Sequence, residues 1–191
     1  MNGSLNYSTR IILLAMSLGF VSSGVTANDG TITFSGSITA ATCDISGGDE
    51  SNPNQGADFT VTLPNVSTTA LSAAGLLAGD TPFFINLSGS ECANDRVANV
   101  VFERAQSTNI DAATGNLKNH TVAGAAKNVQ VRVLNHDKKV LNLNLANTSH
   151  QPVTITSNTA QFKYWGQYIA TGGAAGGGTV NTDVIYSVAY R

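Results

Sequence analysis

Two cysteines and three histidines carry the readiest chemistry in this sequence, and their spacing decides which chemistry is open to them. Cys43 and Cys92 form no C-x-x-C pair, and His120, His136 and His150 show no ligand spacing with them. Neither a thiol redox motif nor a metal-ligand cluster is therefore assembled. The chain also lacks the G-x-S-x-G and H-E-x-x-H patterns that place a nucleophile or a zinc-bound water. No catalytic, metal or cofactor site is expected, and an enzyme is the weakest class left open. The chemistry that remains for an even pair of cysteines is to join. In an exported chain they read as a structural disulfide, closing a loop that stabilises the fold by about 4 kcal/mol in the chain-entropy model.

That reading needs export, and the first residues supply the signal for it. A single charge, Arg10, precedes an uninterrupted apolar run from Ile11 to Val21, which is too short to span a bilayer. Ser22-Ser23-Gly24 and Val25-Thr26-Ala27 follow, with small or β-branched residues where a signal peptidase reads. Residues 1–27 are expected to be a cleaved secretory signal, leaving Asn28 as the mature N-terminus and no direct membrane insertion afterwards. Losing Arg10 from ten basic side chains leaves nine against twelve acidic ones. That balance invites neither nucleic acid nor an anionic membrane. Only 12% of residues are charged, and Gly, Thr, Ser, Asn, Ala and Val dominate. This is the composition of an extracellular all-β domain.

The strands that must hold the disulfide are legible as short alternating runs. Ser46–Gly56 is polar and reads as a surface loop, followed by a strand at Phe59, Val61 and Leu63 that stops at Pro64. Ser67–Gly79 is the one helix-like stretch, and its glycines make it short. Phe83, Ile85 and Leu87 make a strand leading towards Cys92, and Ala98, Val100 and Phe102 make another. Val129, Val131 and Val133 run up to the turn-rich Asn135-His136-Asp137, after which Val140 to Leu145 alternate again, so this part reads as a hairpin. A short edge strand is expected at Val153–Thr156 and an aromatic-rich strand at Phe162–Ile169. Many short strands at this spacing indicate a β-sandwich.

Both ends of the mature chain are patterned strands. Near the start, Gly30, Ile32, Phe34, Gly36, Ile38 and Ala40 share one face, and Thr31, Thr33, Ser35, Ser37 and Thr39 share the other. A strand so close to a terminus either begins the domain's own sheet or is made to enter another's, and its short tether to Cys43 favours the second. At the other end a glycine-rich run, Gly172–Gly178, gives way to Val184, Tyr186, Val188 and Tyr190 alternating with Ile185, Ser187 and Ala189. Alternation alone fits either ordinary core filling or the edge of an open groove.

In this order the residues resemble the pilin subunits of chaperone-usher fimbriae of Gram-negative bacteria, most closely the type 1 major pilins. The resemblance covers essentially the whole mature chain. It rests on Gly30-Thr31-Ile32-Thr33-Phe34-Ser35-Gly36 followed by Ala41-Thr42-Cys43, and on Phe84-Ile85-Asn86-Leu87 leading to Cys92. Asn128-Val129-Gln130-Val131, Tyr168-Ile169-Ala170-Thr171-Gly172, and a penultimate Tyr190 with Gly178 before it complete the pattern. The Ser46–Gly56 insert, with Asp49 and Glu50, is longer than that family's pattern.

The resemblance implies an incomplete immunoglobulin-like sandwich, residues 41–191, that lacks its last strand. It implies that residues 28–40 form a donor-strand extension whose Gly30, Ile32, Phe34, Gly36 and Ile38 fill a neighbouring subunit's groove. Gly178, Val184, Tyr186, Val188, Tyr190 and Arg191 would border the acceptor groove and meet the chaperone. The implied partners are other pilin subunits, a periplasmic chaperone and an outer-membrane usher. The implied product is a fimbrium on the cell surface, reached through the periplasm and used in adhesion. The competing reading is an autonomous exported carbohydrate-binding or adhesin module.

Overall fold

The computed structural model describes residues 43–146 and 151–191. The expected signal peptide, the expected donor strand with Gly30, Ile32, Phe34, Gly36 and Ile38, and His150 lie outside the described residues. The eight strands are β1 (Asp44–Asp49), β2 (Leu77–Ser88), β3 (Val97–Phe102), β4 (Leu117–Lys118), β5 (Val129–Leu134), β6 (Val153–Thr154), β7 (Ala160–Ala170) and β8 (Tyr186–Tyr190). They form a five-stranded sheet in the order β1-β2-β7-β5-β4 and a three-stranded sheet in the order β6-β3-β8, with all named pairings antiparallel.

The period-2 pattern of the sequence is what presses the two sheets together. In β7, Phe162, Tyr164 and Tyr168 point inward and are buried, while Gln161, Lys163 and Trp165 point outward. Phe83, Ile85 and Leu87 of β2 face the same interior, as do Ala98, Val100 and Phe102 of β3. Tyr164 is the central piece, stacked on Phe83 at 5.5 Å and meeting the edge of Phe102 at 5.3 Å. Burial pushes its hydroxyl pKa up to about 12, and the Gln151 amide offsets little of this without a bond of hydrogen-bond geometry. Cys43 and Cys92 are both buried and disulfide-bonded, which ties the start of β1 to the chain just past the end of β2.

Four expectations need correcting. Ser46–Asp49 is not surface loop but the second half of β1, because Ser46 to Asp49 pair in register with Asn86 to Phe83; only the part after it is loop. Ser67–Gly79 holds no α-helix. Ser67 caps a single 3-10 turn, Thr68–Leu71, by accepting from the Thr69 N–H at 3.1 Å, and β2 has begun by Leu77. Phe59–Leu63 has the burial alternation of a strand but no ladder partner among the described residues. The hairpin after β5 closes tightly, with Asn135 N–H donating to Lys139 O at 2.9 Å, yet it goes no further than a bridge between Leu134 and Val140. Beyond it Leu141 and Leu143 turn into the core instead of continuing a ladder.

Candidate functional site: two facing strand edges

The last strand is where the sandwich is unfinished. Arg191 and Val97 exchange main-chain bonds at 2.9 and 3.0 Å, and Glu103 N–H donates to Ile185 O at 2.8 Å. Odd-numbered residues of this stretch therefore spend their main-chain groups on β3. Main-chain groups alternate sides along a strand, so those of Tyr186, Val188 and Tyr190 point to the opposite flank, where β8 has no neighbour among the described residues. Burial tells the same story. The inward residues of β3 are fully buried, whereas Tyr186, Val188 and Tyr190 face the same core and remain half exposed.

Beside Tyr186 runs the segment Ala57–Leu63, bent at Ala57 and Asp58 and alternating in burial from Phe59 to Leu63. Phe59 packs its ring 5.9 Å from Tyr186 and 6.3 Å from Phe83. The Tyr186 hydroxyl donates to Ala57 O at 2.7 Å. Among the described residues the two main chains are thus joined through side chains and not by ladder bonds. Gly47 makes the arrangement possible, since a Cβ there would come within 2.4 Å of the Phe59 ring. Along the segment, Thr60 and Thr62 direct their N–H groups to side chains on one flank, and by alternation Phe59, Val61 and Leu63 direct theirs towards the gap. Phe59 meets Tyr186 at one end, and Val66 and Val180 line one cavity at the other, so the two segments run antiparallel. A strand laid between them would be parallel to one and antiparallel to the other.

The far end of the gap opens into a cavity of about 330 Å³ lined by Leu63, Leu71, Val129, Tyr168 and Val180 and floored by Gly176–Gly178. Gly178 has φ 154°, and a Cβ there would come within 2.5 Å of the main chain at Gly124 and Ala126. Only glycine lets the chain thread this close. Thr179 then bonds to Gly124 O at 2.9 Å and holds the approach to β8 in place.

Of the residues expected at the groove, Tyr186, Val188 and Tyr190 lie partly buried on the inward face of β8, Val184 comes just before the strand, and Gly178 lines the cavity. Arg191 follows β8, and Arg96 Nε donates to its carbonyl oxygen at 3.4 Å. Burial raises the tyrosine hydroxyls, with the charge of Asp58 adding to the effect at Tyr186. The histidines stand apart from this site. His120 pairs with Asp183 at 2.9 Å, and His136 contacts Asp137 and Gln151. A separate open hollow of about 580 Å³ at Ser46, Asn86, Thr154, Thr159 and Gln161 has no aromatic or charged lining residue. It offers no ring on which a sugar could stack.

Sequence reading missed Phe59, Val61 and Leu63 as one side of the site, because their alternation is that of any strand. It also missed Asp49 and Gln55, which look like solvated loop residues.

Comparison with known proteins decides the family. The model described as FimA, type-1 fimbrial protein A, matches residues 63–191. This chain belongs to the type-1 fimbrial protein family. It is 42% identical over 171 residues to the major fimbrial subunit SMF-1 of Stenotrophomonas maltophilia (strain K279a), covering 86% of this chain and 94% of that protein. It is 36% identical over 178 residues to the F17 fimbrial protein of Escherichia coli, covering 89% and 92%. The fold is similar to that of the P pilus rod subunit PapA, with a TM-score of 0.55 at 16% identity over 78% of this chain and 99% of that one. The protein is a structural subunit of a surface fimbrium, a chaperone-usher pilin with an all-β, incomplete immunoglobulin-like sandwich. Among the described residues no helix is long and apolar enough to cross a membrane.

Proposed function

We propose that this fimbrial subunit polymerises head to tail, the gap between β8 and Ala57–Leu63 accepting residues 28–40 of the next copy. The observation that carries this is the pair of facing edges. Tyr186, Val188 and Tyr190 of β8, and Phe59, Val61 and Leu63 of the segment that meets β8 at Tyr186, present main-chain groups with no described partner, and their inward side chains stay partly exposed. An extended segment with apolar residues at every second position satisfies both edges and closes the core at once. Gly30, Ile32, Phe34, Gly36 and Ile38 have that pattern. Burying Ile32, Phe34 and Ile38 would contribute on the order of 5 to 9 kcal/mol before entropy costs. A contact made by different surfaces of identical subunits does not close on itself, so it grows a filament.

Until that exchange, a periplasmic chaperone would occupy the gap, with basic residues on the Arg191 carboxylate, and an outer-membrane usher would receive the complex. On this reading residues 1–27 are removed on export and residues 41–191 form the acceptor domain. The test compares wild type with the deletion of residues 28–40 and with Phe34→Asp, using surface extracts run with and without boiling in detergent. A ladder that collapses to monomer only on heating, absent in the deletion and in Phe34→Asp, is expected. Monomer in every lane of the wild type would mean that the strand closes its own domain.

A further inference from the structure

The insert that departs from the family pattern packs against the unpaired side of the gap. Asp49, the last residue of β1, is only 3% exposed. Its Oδ1 accepts from the N–H groups of Ser51 and Asn52, both at 2.9 Å, and its Oδ2 accepts from Thr62 N–H at 2.8 Å. Gln55 does more. Its Oε1 accepts from Thr60 N–H at 3.1 Å while its Nε2 donates back to Thr60 O at 2.9 Å and to Asn52 O at 3.0 Å. Its own N–H donates to Gly47 O at 2.9 Å, which fixes the loop to β1.

A primary amide carries the same donor and acceptor pair as a peptide group. Gln55 therefore offers Thr60 what the directly opposed residue of an antiparallel ladder would offer, and Asp49 does the acceptor half of this at Thr62. Side chains stand where a neighbouring strand would be. The apolar contacts of Phe59, Val61 and Leu63 seat the inward face of this segment. The bonds to Thr60 and Thr62 hold its outer main-chain edge against that seat, which keeps the N–H groups of Phe59, Val61 and Leu63 on the opposite flank.

Resting on the groove reading above, we propose that Asp49 and Gln55 are positioning residues, a side-chain surrogate strand that holds Ala57–Leu63 extended before a donor strand arrives. Capture of the donor then need not also order one of its own walls, and pre-organisation of this kind favours association.

The experiment mixes the full mature chain with a fluorescent synthetic peptide of residues 28–42 and follows uptake by anisotropy, alongside near-ultraviolet circular dichroism of each protein alone. Gln55→Ala removes the surrogate; Gln55→Glu keeps an acceptor but sets a carboxylate against the Thr60 carbonyl; Asp49→Asn keeps the shape of the buried group. Glu50→Gln, an exposed residue of the same insert that lies outside the segment, is the control. Uptake slowed roughly tenfold by each of the first three, the worth of one or two such hydrogen bonds, with unchanged aromatic dichroism and a control within about twofold of wild type, is the expected result. Because Gln55 is exposed, its variants are not expected to unfold the domain. Wild-type protein that takes up peptide no faster than Gln55→Ala and Gln55→Glu would overturn this inference alone. Wild-type protein that takes up none would overturn the groove reading and this inference with it.

Discussion

If Ala57–Leu63 and β8 are two sides of one gap, Phe59 and Tyr186 must be energetically coupled. Each makes the contact that links the two edges, with ring centroids 5.9 Å apart and planes inclined by 60°. Tyr186→Phe removes only the bond to Ala57 O, and because water can replace it at that exposed carbonyl the loss should sit near ~0.5 kcal/mol. Tyr186→Ala and Phe59→Ala also remove half-buried rings, for a loss of about 1.5 to 3 kcal/mol each. Phe59→Ala should be the costlier, since it gives up the contact with Phe83 as well. The double variant should fall short of the sum by about 0.5 to 1.5 kcal/mol, the usual worth of an aromatic pair. Urea unfolding of the purified full chain, read by the fluorescence of its single tryptophan, Trp165, measures all four corners of the cycle. A coupling below ~0.3 kcal/mol, the scatter of independent sites, would mean that the two edges do not meet in solution, and the gap as described would not exist.

Two other outcomes follow from the same structure. Replacing both Cys43 and Cys92 with serine should remove about 4 kcal/mol and sharply lower the amount of subunit recovered from the periplasm, because an unfinished sandwich has little stability to spare; recovery at wild-type levels would contradict this. The bond from Thr62 N–H, with those from Asn52 and Ser51, holds the Asp49 carboxyl below its ordinary value against the opposing push of burial. A lowered folded pKa means that the unfolded chain binds the proton first. The stabilisation is therefore present above the ordinary carboxylate value and is lost as pH falls through the lowered one. Unfolding midpoints taken from pH 6 downward should drop less steeply in Asp49→Asn than in wild type, and parallel curves would refute the role given to this carboxylate.

Much of the fold could be read from one sequence because it rests on local parity. The inward residues of β2, β3 and β8 are those that alternation picks out, since a half-buried strand must put its apolar side chains on one face. The errors occur where the outcome depended on a distant partner. Ser46–Asp49 reads as loop because it is polar and glycine-rich, but register with β2 makes it a strand. The run after Val140 reads as the second arm of a hairpin, but burying Leu141 and Leu143 outweighs continuing the ladder.

The sequence by itself determined which side chains of β2, β3 and β8 face inward, which two cysteines were available to join, and that a strand runs up to Tyr190. Hydrophobic alternation and turn chemistry carry that information within a few residues. Tertiary structure alone decided that Phe59–Leu63 has no ladder partner among the described residues, that Phe59 meets Tyr186 of β8, and that Asp49 and Gln55 bond to its Thr62 and Thr60. A strand's pattern specifies its two faces and says nothing of its two edges. What lies at an edge is set by residues far away in the chain, and the site proposed here is made of edges.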